Sequence, residues 1–201
     1  MKVGVLVSGA GTNLQARLDA QARGALAPAE ICVVVSNKHE APALLRAAVA
    51  GVPAEIVEHQ GLERSVFEAQ LVEVLAYHGV ELVVLAGFMR VLTSYFLEHF
   101  PLRVINTHPS LLPAFPGMYA PAQALAYGVA LAGVTVHFVD ASVDGGPIIA
   151  QAAVAVADDD DANTLHARIQ REEHRLLPIV VQRLAAGLLS CQGRHVRGRA
   201  E

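Results

Sequence analysis

Polar side chains that can carry catalysis interrupt an apolar run near the middle of the chain. The stretch from Arg103 to Phe115 reads RVINTHPSLLPAF, in which Asn106 and His108 stand one residue apart at the end of a strand-like segment. Asp144 follows later, in the sequence VDGG. An amide donor, an imidazole that titrates near neutral pH and a carboxylate that can orient and charge it form a set suited to general acid and base catalysis. We predict that these three residues meet in one catalytic site.

Each of the three also has a purely structural interpretation. Asn106 can cap a turn, His108 can be a buried histidine with satisfied hydrogen bonds, and an Asp-Gly pair such as that at Asp144 is a common turn signal. The prolines between positions 109 and 116 stiffen the segment, which favours a loop that holds a catalytic group in place. No serine or cysteine stands in a nucleophile elbow of the GxSxG type, so we expect direct transfer without a covalent enzyme intermediate.

A glycine-rich turn follows the first strand-like segment and leads into a helix. It reads SGAGTN, residues 8–13, and its backbone amides at Gly11, Thr12 and Asn13 could bind a phosphate at the helix N-terminus. A tight start of the helix is the alternative. A dinucleotide fingerprint requires glycine where Leu14 stands, and a P-loop requires a lysine that the turn lacks. The turn therefore predicts a site for a single phosphate on a small substrate.

Two further segments leave a choice open. His137 alternates with apolar neighbours in a strand-like run and either faces a ligand or packs in the core. The segment AGFMRVL, residues 86–92, surrounds Arg90 with apolar side chains. It can form the wall of a site for a flat aromatic ligand, or it can be core with one exposed arginine.

The elements that must position these residues alternate between short apolar runs and amphipathic stretches. This alternation predicts an α/β fold with a mixed, mostly parallel sheet of about seven strands flanked by helices. The carboxyl ends of its parallel strands would bring the glycine turn and the Asn106 segment to one edge. The predicted strands are KVGVLV (2–7), EICVVV (30–35), AEIV (54–57), ELVVLA (81–86), RVIN (103–106), GVTVHFV (133–139) and PIIAQAAVAV (147–156).

Two helices have the clearest apolar stripes. One runs over about residues 63–78, and the other over about 163–186 with Asp161 or Asn163 as its N-cap. The connection DASVDGG, residues 140–146, is too short for a crossover helix, so it predicts an antiparallel last strand pair. The tail from 190 to 201 loses the apolar rhythm, and we expect it to fray.

Composition excludes several classes of function. The chain has 201 residues, 17% charged residues and a formal net charge of −4, which argues against a nucleic-acid partner. No segment has the roughly 20 consecutive apolar residues of a membrane span. The only cysteines, Cys32 and Cys191, have no metal-ligand spacing, and Met1 leads directly into the first strand. We expect a cytoplasmic protein that acts on small molecules without a metal.

Taken together, the motifs have a more specific pattern than each has alone. SGAGTNLQA, VSNK, LAGFMRVL, INTHPSLLPAFPG, AGVTVHFVD, VDGGPIIAQ and REEH occur in one order. In this combination the chain closely resembles the folate-dependent formyltransferase family, in its glycinamide ribonucleotide branch, over about residues 2–188. The resemblance implies a single Rossmann-like domain over 1–189. Its first half, 1–100, would bind the phosphate or nucleotide, and its second half, 101–189, would bind the folate and catalyse.

The resemblance also implies the reaction and the roles of residues. The formyl group of 10-formyltetrahydrofolate, a co-substrate, would pass to the amine of 5'-phosphoribosylglycinamide in purine synthesis, through a tetrahedral intermediate. Asn106 and protonated His108 would stabilise its oxyanion. Asp144 would favour the imidazolium and help move a proton to the departing folate nitrogen. Gly11, Thr12 and Asn13 match the positions that hold the phosphate, and Glu173 the position for the ribose hydroxyls. The folate would contact Arg64, Phe88, Met89, Arg90, Val91, Leu92, Val104, Val139 and Asp140.

One position departs from the family pattern, and alternatives remain open. Tyr119 stands where family members often carry histidine, which puts an auxiliary polar role there in doubt. A formyltransferase acting on another amine, or a deformylase that hydrolyses the same folate, are the rival enzymes. A non-catalytic folate-binding module is a further alternative, although it need not keep Asn106, His108 and Asp144 together. We expect a monomer or a weak homodimer.

Overall fold

A computed structural model describes residues 1–198 of the chain. It divides into two compact units, the first of which is Met1–Ile105 and the second of which begins at Asn106. This boundary lies inside the strand that carries the predicted catalytic residues. The sequence predicted a boundary a few residues earlier, between positions 100 and 101. The roles predicted for the two halves, phosphate binding and folate binding, stay a prediction.

The first unit alternates strands and helices in the manner of a parallel α/β fold. Its strands read as continuous apolar runs because helices cover both faces of such a sheet; the first of them is buried from Val3 to Val7. The elements, in chain order, are β1 Lys2–Val7, α1 Thr12–Ala22, β2 Glu30–Ser36, α2 Pro42–Val49, β3 Ala54–Ile56, α3 Arg64–Tyr77, β4 Leu82–Ala86 and α4 Ser94–His99.

The second unit is built around a long antiparallel strand pair and a long helix. The predicted short connection at 140–146 does join antiparallel strands. The elements are β5 Val104–His108, which begins in the first unit, α5 Ala120–Tyr127, β6 Leu131–Phe138, β7 Ile148–Ala155, α6 Ala162–Ala185, β8 Ser190–Gln192 and β9 His195–Arg197.

The seven strands of the main sheet follow the order β3-β2-β1-β4-β5-β6-β7. The pairs of β1 with β2 and β4, of β2 with β3 and of β4 with β5 are parallel. The pair of β6 with β7 is antiparallel, with Thr135 opposite Gln151. The fold class predicted from the sequence, a mixed and mostly parallel sheet of about seven strands flanked by helices, is therefore confirmed.

The two helices with clear apolar stripes begin and end close to the predicted residues. In α3 the stripe buries Phe67, Leu71 and Leu75. In α6 the N-cap is Asp161, whose side chain accepts hydrogen bonds from the backbone N–H groups of Asn163 and Thr164. The Thr164 hydroxyl accepts in turn from the Asp161 backbone N–H, which completes a capping box.

The prediction of a frayed tail is wrong for residues 190–197. These residues form a hairpin in which Cys191 pairs with Val196 across the strands. The physical reason is local, because Gly193 takes a positive φ of 58° and permits a two-residue turn, while Val196 is buried. Each strand of the hairpin, SCQ and HVR, has only one apolar residue, so no apolar run marks it in the sequence. The predicted fraying of 199–201 lies outside the described residues.

Candidate active site

His108 is the last residue of β5, and both of its ring nitrogens face oxygen acceptors. Nδ1 lies 3.2 Å from the Oδ2 atom of Asp144, and Nε2 lies 2.8 Å from the carbonyl oxygen of Phe115. A neutral imidazole has one N–H and can donate to only one of them. The doubly protonated ring donates to both, so the geometry accommodates the imidazolium with a carboxylate beside it.

Asp144 is held by the backbone as well as by histidine. It lies in the loop between β6 and β7 with a φ of 53°, in the left-handed region that a non-glycine residue seldom adopts. Its Oδ2 atom also accepts a hydrogen bond of 2.8 Å from the backbone N–H of Gly117. Two independent segments of the second unit, β5 and the residues before α5, therefore converge on this carboxylate.

His137 is the second histidine near the carboxylate. It is 2% exposed, its Nε2 atom lies 3.7 Å from the Oδ1 atom of Asp144, and its Nδ1 atom lies 2.8 Å from the carbonyl oxygen of Phe138. Burial lowers the pKa of His137 below its usual value, although the Phe138 hydrogen bond and the Asp144 charge act in the opposite direction. A neutral ring that donates from Nδ1 to Phe138 leaves Nε2 without a hydrogen bond among the described residues. The side chain is therefore buried next to Asp144, as a core residue would be, and its contact with a ligand stays a prediction.

Asn106 lies two residues before His108 in β5. Residues at this spacing in a strand project from the same face of the sheet. Its side chain is half-buried and makes no hydrogen bond within residues 1–198. A half-buried amide of this kind has its donor group available for a substrate atom. The strand prediction ended at Asn106, whereas β5 continues to His108, so both residues belong to the strand and not to the loop after it.

The loop after His108 is fixed by a buried polar network. The hydroxyl of Thr135 in β6 donates to the carbonyl oxygen of Ser110 at 2.7 Å and accepts from the backbone N–H of Leu112 at 3.0 Å. Gln151 in β7 donates to the carbonyl oxygen of Leu112 at 2.9 Å. The Leu112-Pro113 peptide is cis. This network holds the segment whose Phe115 carbonyl accepts from His108, as expected from the stiff proline-rich sequence.

Glu173 in α6 is joined to the catalytic strand. The Thr107 hydroxyl, between Asn106 and His108, donates to the Oε1 atom of this carboxylate. Glu173 is 6% exposed. The structure thus places the predicted ribose-binding residue within the second unit and gives it a protein partner that the sequence did not indicate.

The predicted phosphate turn lies in the first unit, between β1 and α1. Gly11 is the N-cap of α1 with a φ of 72°, and a Cβ atom there would lie 2.6 Å from the Cβ atom of Ala43. Both properties require glycine. Arg46 of α2 donates from Nε to the carbonyl oxygen of Ala10 at 2.8 Å. The sequence did not predict a role for Arg46, because the order of residues in α2 does not indicate which side chain faces the glycine-rich turn.

The predicted folate contacts of the first unit divide into buried and exposed side chains. Phe88, Leu92 and Val104 are buried, whereas Met89 is 73% and Val91 is 54% exposed. The guanidinium carbon of Arg90 lies 5.8 Å from the centre of the Phe67 ring. Arg64 is exposed at the first turn of α3. The buried side chains can support a binding surface, while contact with a ligand falls to the exposed ones and to the backbone.

The two predicted folate residues of the second unit lie directly after β6. Val139 and Asp140 are both half-buried, and the Oδ1 atom of Asp140 accepts hydrogen bonds from the backbone N–H and hydroxyl of Ser142. Tyr119, where the family pattern often has histidine, is 75% exposed and has a φ of 61° as the N-cap of α5. No hydrogen bond or ring contact joins the Tyr119 side chain to His108 or Asp144 within residues 1–198.

No group of three or more histidine, cysteine, aspartate or glutamate side chains in residues 1–198 has the geometry of a metal site. Over the same residues, no helix combines the length and the apolar character that crossing a membrane requires. The second unit places the His108 ring between the Asp144 carboxylate and the Phe115 carbonyl, with the Asn106 amide on the same strand. This set can stabilise a developing negative charge and transfer a proton.

Comparisons with known proteins agree with this chemistry. The family model described as Formyl transferase matches residues 1–181. The phosphoribosylglycinamide formyltransferase of Mycobacterium tuberculosis (strain CDC 1551 / Oshkosh) is 45% identical over 193 residues, which cover 94% of this chain and 87% of that protein. A crystal structure of glycinamide ribonucleotide transformylase 1 from Symbiobacterium toebii is 48% identical with a TM-score of 0.96, covering 100% of this chain and 94% of that one.

Other relatives are much longer proteins. The trifunctional purine biosynthetic protein adenosine-3 of Drosophila pseudoobscura pseudoobscura is 45% identical over 192 residues, which cover 94% of this chain but 14% of that protein. The chain thus spans about one seventh of the length of this trifunctional relative. The match over residues 1–181 and the identity over nearly the full chain lead to one conclusion: the chain belongs to the formyl transferase family.

Proposed function

We propose that the protein transfers the formyl group of 10-formyltetrahydrofolate to the primary amine of 5'-phosphoribosylglycinamide. The observation that carries this proposal is that His108 pairs with Asp144 and lies on the same strand end as the Asn106 amide. The relatives named for this activity supply the identity of the two substrates. The products are N-formylglycinamide ribonucleotide and tetrahydrofolate, as in de novo purine biosynthesis.

The amine of the nucleotide attacks the formyl carbon and forms a carbon–nitrogen bond. The carbonyl electron pair moves to oxygen, and the Asn106 amide and the His108 imidazolium donate hydrogen bonds to that oxyanion. As the oxyanion collapses, the bond from the formyl carbon to the folate nitrogen breaks. The attacking nitrogen loses a proton and the departing folate nitrogen gains one, with Asp144 assisting this transfer through water.

His108 must change one of its acceptors during this reaction. Its Nε2–H group points at the Phe115 carbonyl and its Nδ1–H group points at Asp144. A negatively charged oxygen is a stronger acceptor than a neutral carbonyl. We therefore assign the Nε2–H group to the oxyanion, while Asp144 keeps the ring oriented through Nδ1.

The glycine turn of the first unit is the proposed phosphate site. A helix N-terminus offers backbone N–H groups and a favourable dipole to an anion, which supports roles for Gly11, Thr12 and Asn13. Arg46 adds a positive charge at the Ala10 carbonyl. Glu173 is the proposed partner of the ribose hydroxyls, a role in which it would share its carboxylate with Thr107.

The folate site belongs to the same proposal. The folate contacts proposed for the first unit are exposed side chains and backbone of the 88–92 segment, Arg64 and Val104, and those proposed for the second unit are Val139 and Asp140. We further propose that the protein works in the cytoplasm as a monomer or weak homodimer, without a metal. Every ligand in this scheme is a small molecule.

A direct assay tests the proposed reaction. Purified protein is mixed with 10-formyltetrahydrofolate and 5'-phosphoribosylglycinamide, and tetrahydrofolate, formylated nucleotide and formate are each quantified by mass spectrometry. We expect one formylated nucleotide for each tetrahydrofolate. Release of formate in place of formylated nucleotide would assign the protein to the deformylases and contradict the proposal. The amine without its phosphate is the matched control substrate and should show a higher KM.

A further inference from the structure

The turn of the C-terminal hairpin reaches the loop that carries Asp144. Gly193 and Arg194 form this turn, since Gln192 and His195 are paired across it. The Nη1 atom of Arg194 donates a hydrogen bond of 2.8 Å to the carbonyl oxygen of Gly145. Gly145 is the residue after Asp144, so the hairpin contacts the peptide group next to the catalytic carboxylate. The hairpin lies beyond residues 1–181, which the family model matches.

The hairpin is itself anchored, so that it can act as a support. Arg183 of α6 donates from Nε and Nη2 to the carbonyl oxygen of Gly198, at 3.0 and 2.7 Å. Val196 is 6% exposed. Gly198 has a φ of 77° and passes so close to the Leu188 carbonyl that no side chain fits there. These contacts tie the strand that follows Arg194 to the end of α6.

The loop that carries Asp144 has internal contacts at both of its ends. Its first part is restrained by the hydrogen bonds from Ser142 to Asp140, and Gly146 packs directly against the Phe138 carbonyl. Between them, Asp144 adopts a left-handed φ of 53° and is followed by two glycines, which have the widest conformational freedom of all residues. The Gly145 carbonyl is the one peptide group of this part that accepts from Arg194.

We propose that Arg194 is a positioning residue, which through the Gly145 carbonyl holds Asp144 at the orientation that pairs it with His108. This inference rests on the proposed function for its effect on catalysis, but its structural part does not. The guanidinium is the donor and never touches the substrates. Gly145 and Gly146 have no side chains that could restrict their backbone. The charge-assisted hydrogen bond from Arg194 to the Gly145 carbonyl restricts it instead.

Kinetics of three variants test the catalytic part. Arg194→Ala should lower kcat about five- to tenfold, the effect of one hydrogen bond of ordinary strength, and change the KM of the amine less than about twofold. Arg194→Lys keeps a donor and should recover most of the rate. Arg197→Ala is the matched control, because Arg197 is an exposed arginine of the same hairpin with no hydrogen bond in the described chain.

The profile of kcat against pH separates positioning from a loss of folded protein. When each rate is divided by the folded fraction measured by circular dichroism at the same pH, a loss of folded protein leaves the profile unchanged, whereas a displaced carboxylate beside His108 changes its shape. We expect a changed profile for Arg194→Ala and an unchanged one for Arg197→Ala. Equal kcat values and equal profiles in these two variants would overturn the catalytic role.

Amide hydrogen exchange gives a readout that needs no activity. In Arg194→Ala the peptide that covers residues 140–146 should exchange faster than in the wild type, and in Arg197→Ala it should not. An unchanged exchange rate in Arg194→Ala would overturn the inference even in a fully active enzyme. Faster exchange in a protein that transfers no formyl group would uphold the positioning contact and refute the proposed function instead.

Discussion

At the scale of single residues, the polar side chains of the site have few hydrogen-bond partners within the protein. Asp144 accepts from the Gly117 backbone and lies beside His108, and both contacts use the same Oδ2 atom. The other carboxylate oxygen faces His137 at 3.7 Å. The Asn106 side chain has no hydrogen bond in the described chain. Groups with an unused hydrogen-bonding capacity are the ones that a substrate can engage without breaking the fold.

Replacement of Asn106 by alanine should separate catalysis from stability. We expect kcat to fall about 10²- to 10³-fold, because the variant lacks one donor to the oxyanion. The free energy of unfolding should change by less than about 1 kcal/mol, since no side-chain hydrogen bond is lost. Steady-state kinetics and urea unfolding measure the two quantities. Asn163→Ala, at an exposed position of α6, is the control; a comparable rate loss there would contradict the role of Asn106.

His137 should make the stability of the protein sensitive to acid. Its pKa is lowered in the folded state, chiefly by burial, so the unfolded chain binds a proton at a higher pH than the folded chain does. The stability is fully present above the unfolded-state pKa of about 6.5 and falls as the pH drops below it. The groups that face this ring are Asp144, His108 and Asp140.

Urea unfolding at about pH 8 and about pH 5.5 measures this dependence. His137→Asn keeps a donor for the Phe138 carbonyl but does not titrate, so its free energy of unfolding should fall less between the two pH values than that of the wild type. An equal fall in both proteins would show that other groups, and not His137, are responsible.

At the scale of elements, the sequence predicted the strands and helices that have apolar periodicity. It did not predict contacts between residues that are distant in sequence. The strands and the amphipathic helices α3 and α6 carry apolar periodicity, which is a local property. The three catalytic candidates could be named because their residue types are unusual at a strand end and in a glycine turn. The Phe115 carbonyl and the Gly117 amide could not be predicted, because every residue has such backbone groups. Only the folded loop brings these two to His108 and Asp144.

The N-cap of α6 provides a prediction at this scale. Asp161→Ala removes the side chain that accepts from Asn163 and Thr164, and should lower the free energy of unfolding by about 1 kcal/mol. Asp159→Ala removes an exposed carboxylate of the same acidic run, DDDD at 158–161, and serves as the control. Thermal and urea denaturation compare the two. A similar loss in both variants would mean that net charge matters here and the capping hydrogen bonds do not.

At the scale of the whole molecule, each unit carries a different part of the proposed reaction. The first unit contains the glycine turn at α1 and the segment 88–92, and the second contains Asn106, His108, Asp144 and the hairpin that contacts the Asp144 loop. Membership in the formyl transferase family connects these parts to one chemistry. The hairpin could not be predicted, because each of its strands has only one apolar residue and its contact with Gly145 bridges positions 49 residues apart in sequence.

The central claim is that His108 and Asp144 act as one catalytic unit in formyl transfer. The most direct test is a double-mutant cycle on kcat for formylation of 5'-phosphoribosylglycinamide, with His108→Ala, Asp144→Ala and the double variant. We predict a loss of about 10²- to 10⁴-fold in each single variant and little further loss in the double variant, because residues that act together are not additive. Additive losses would contradict the coupling, and wild-type rates in the single variants would contradict the catalytic site itself.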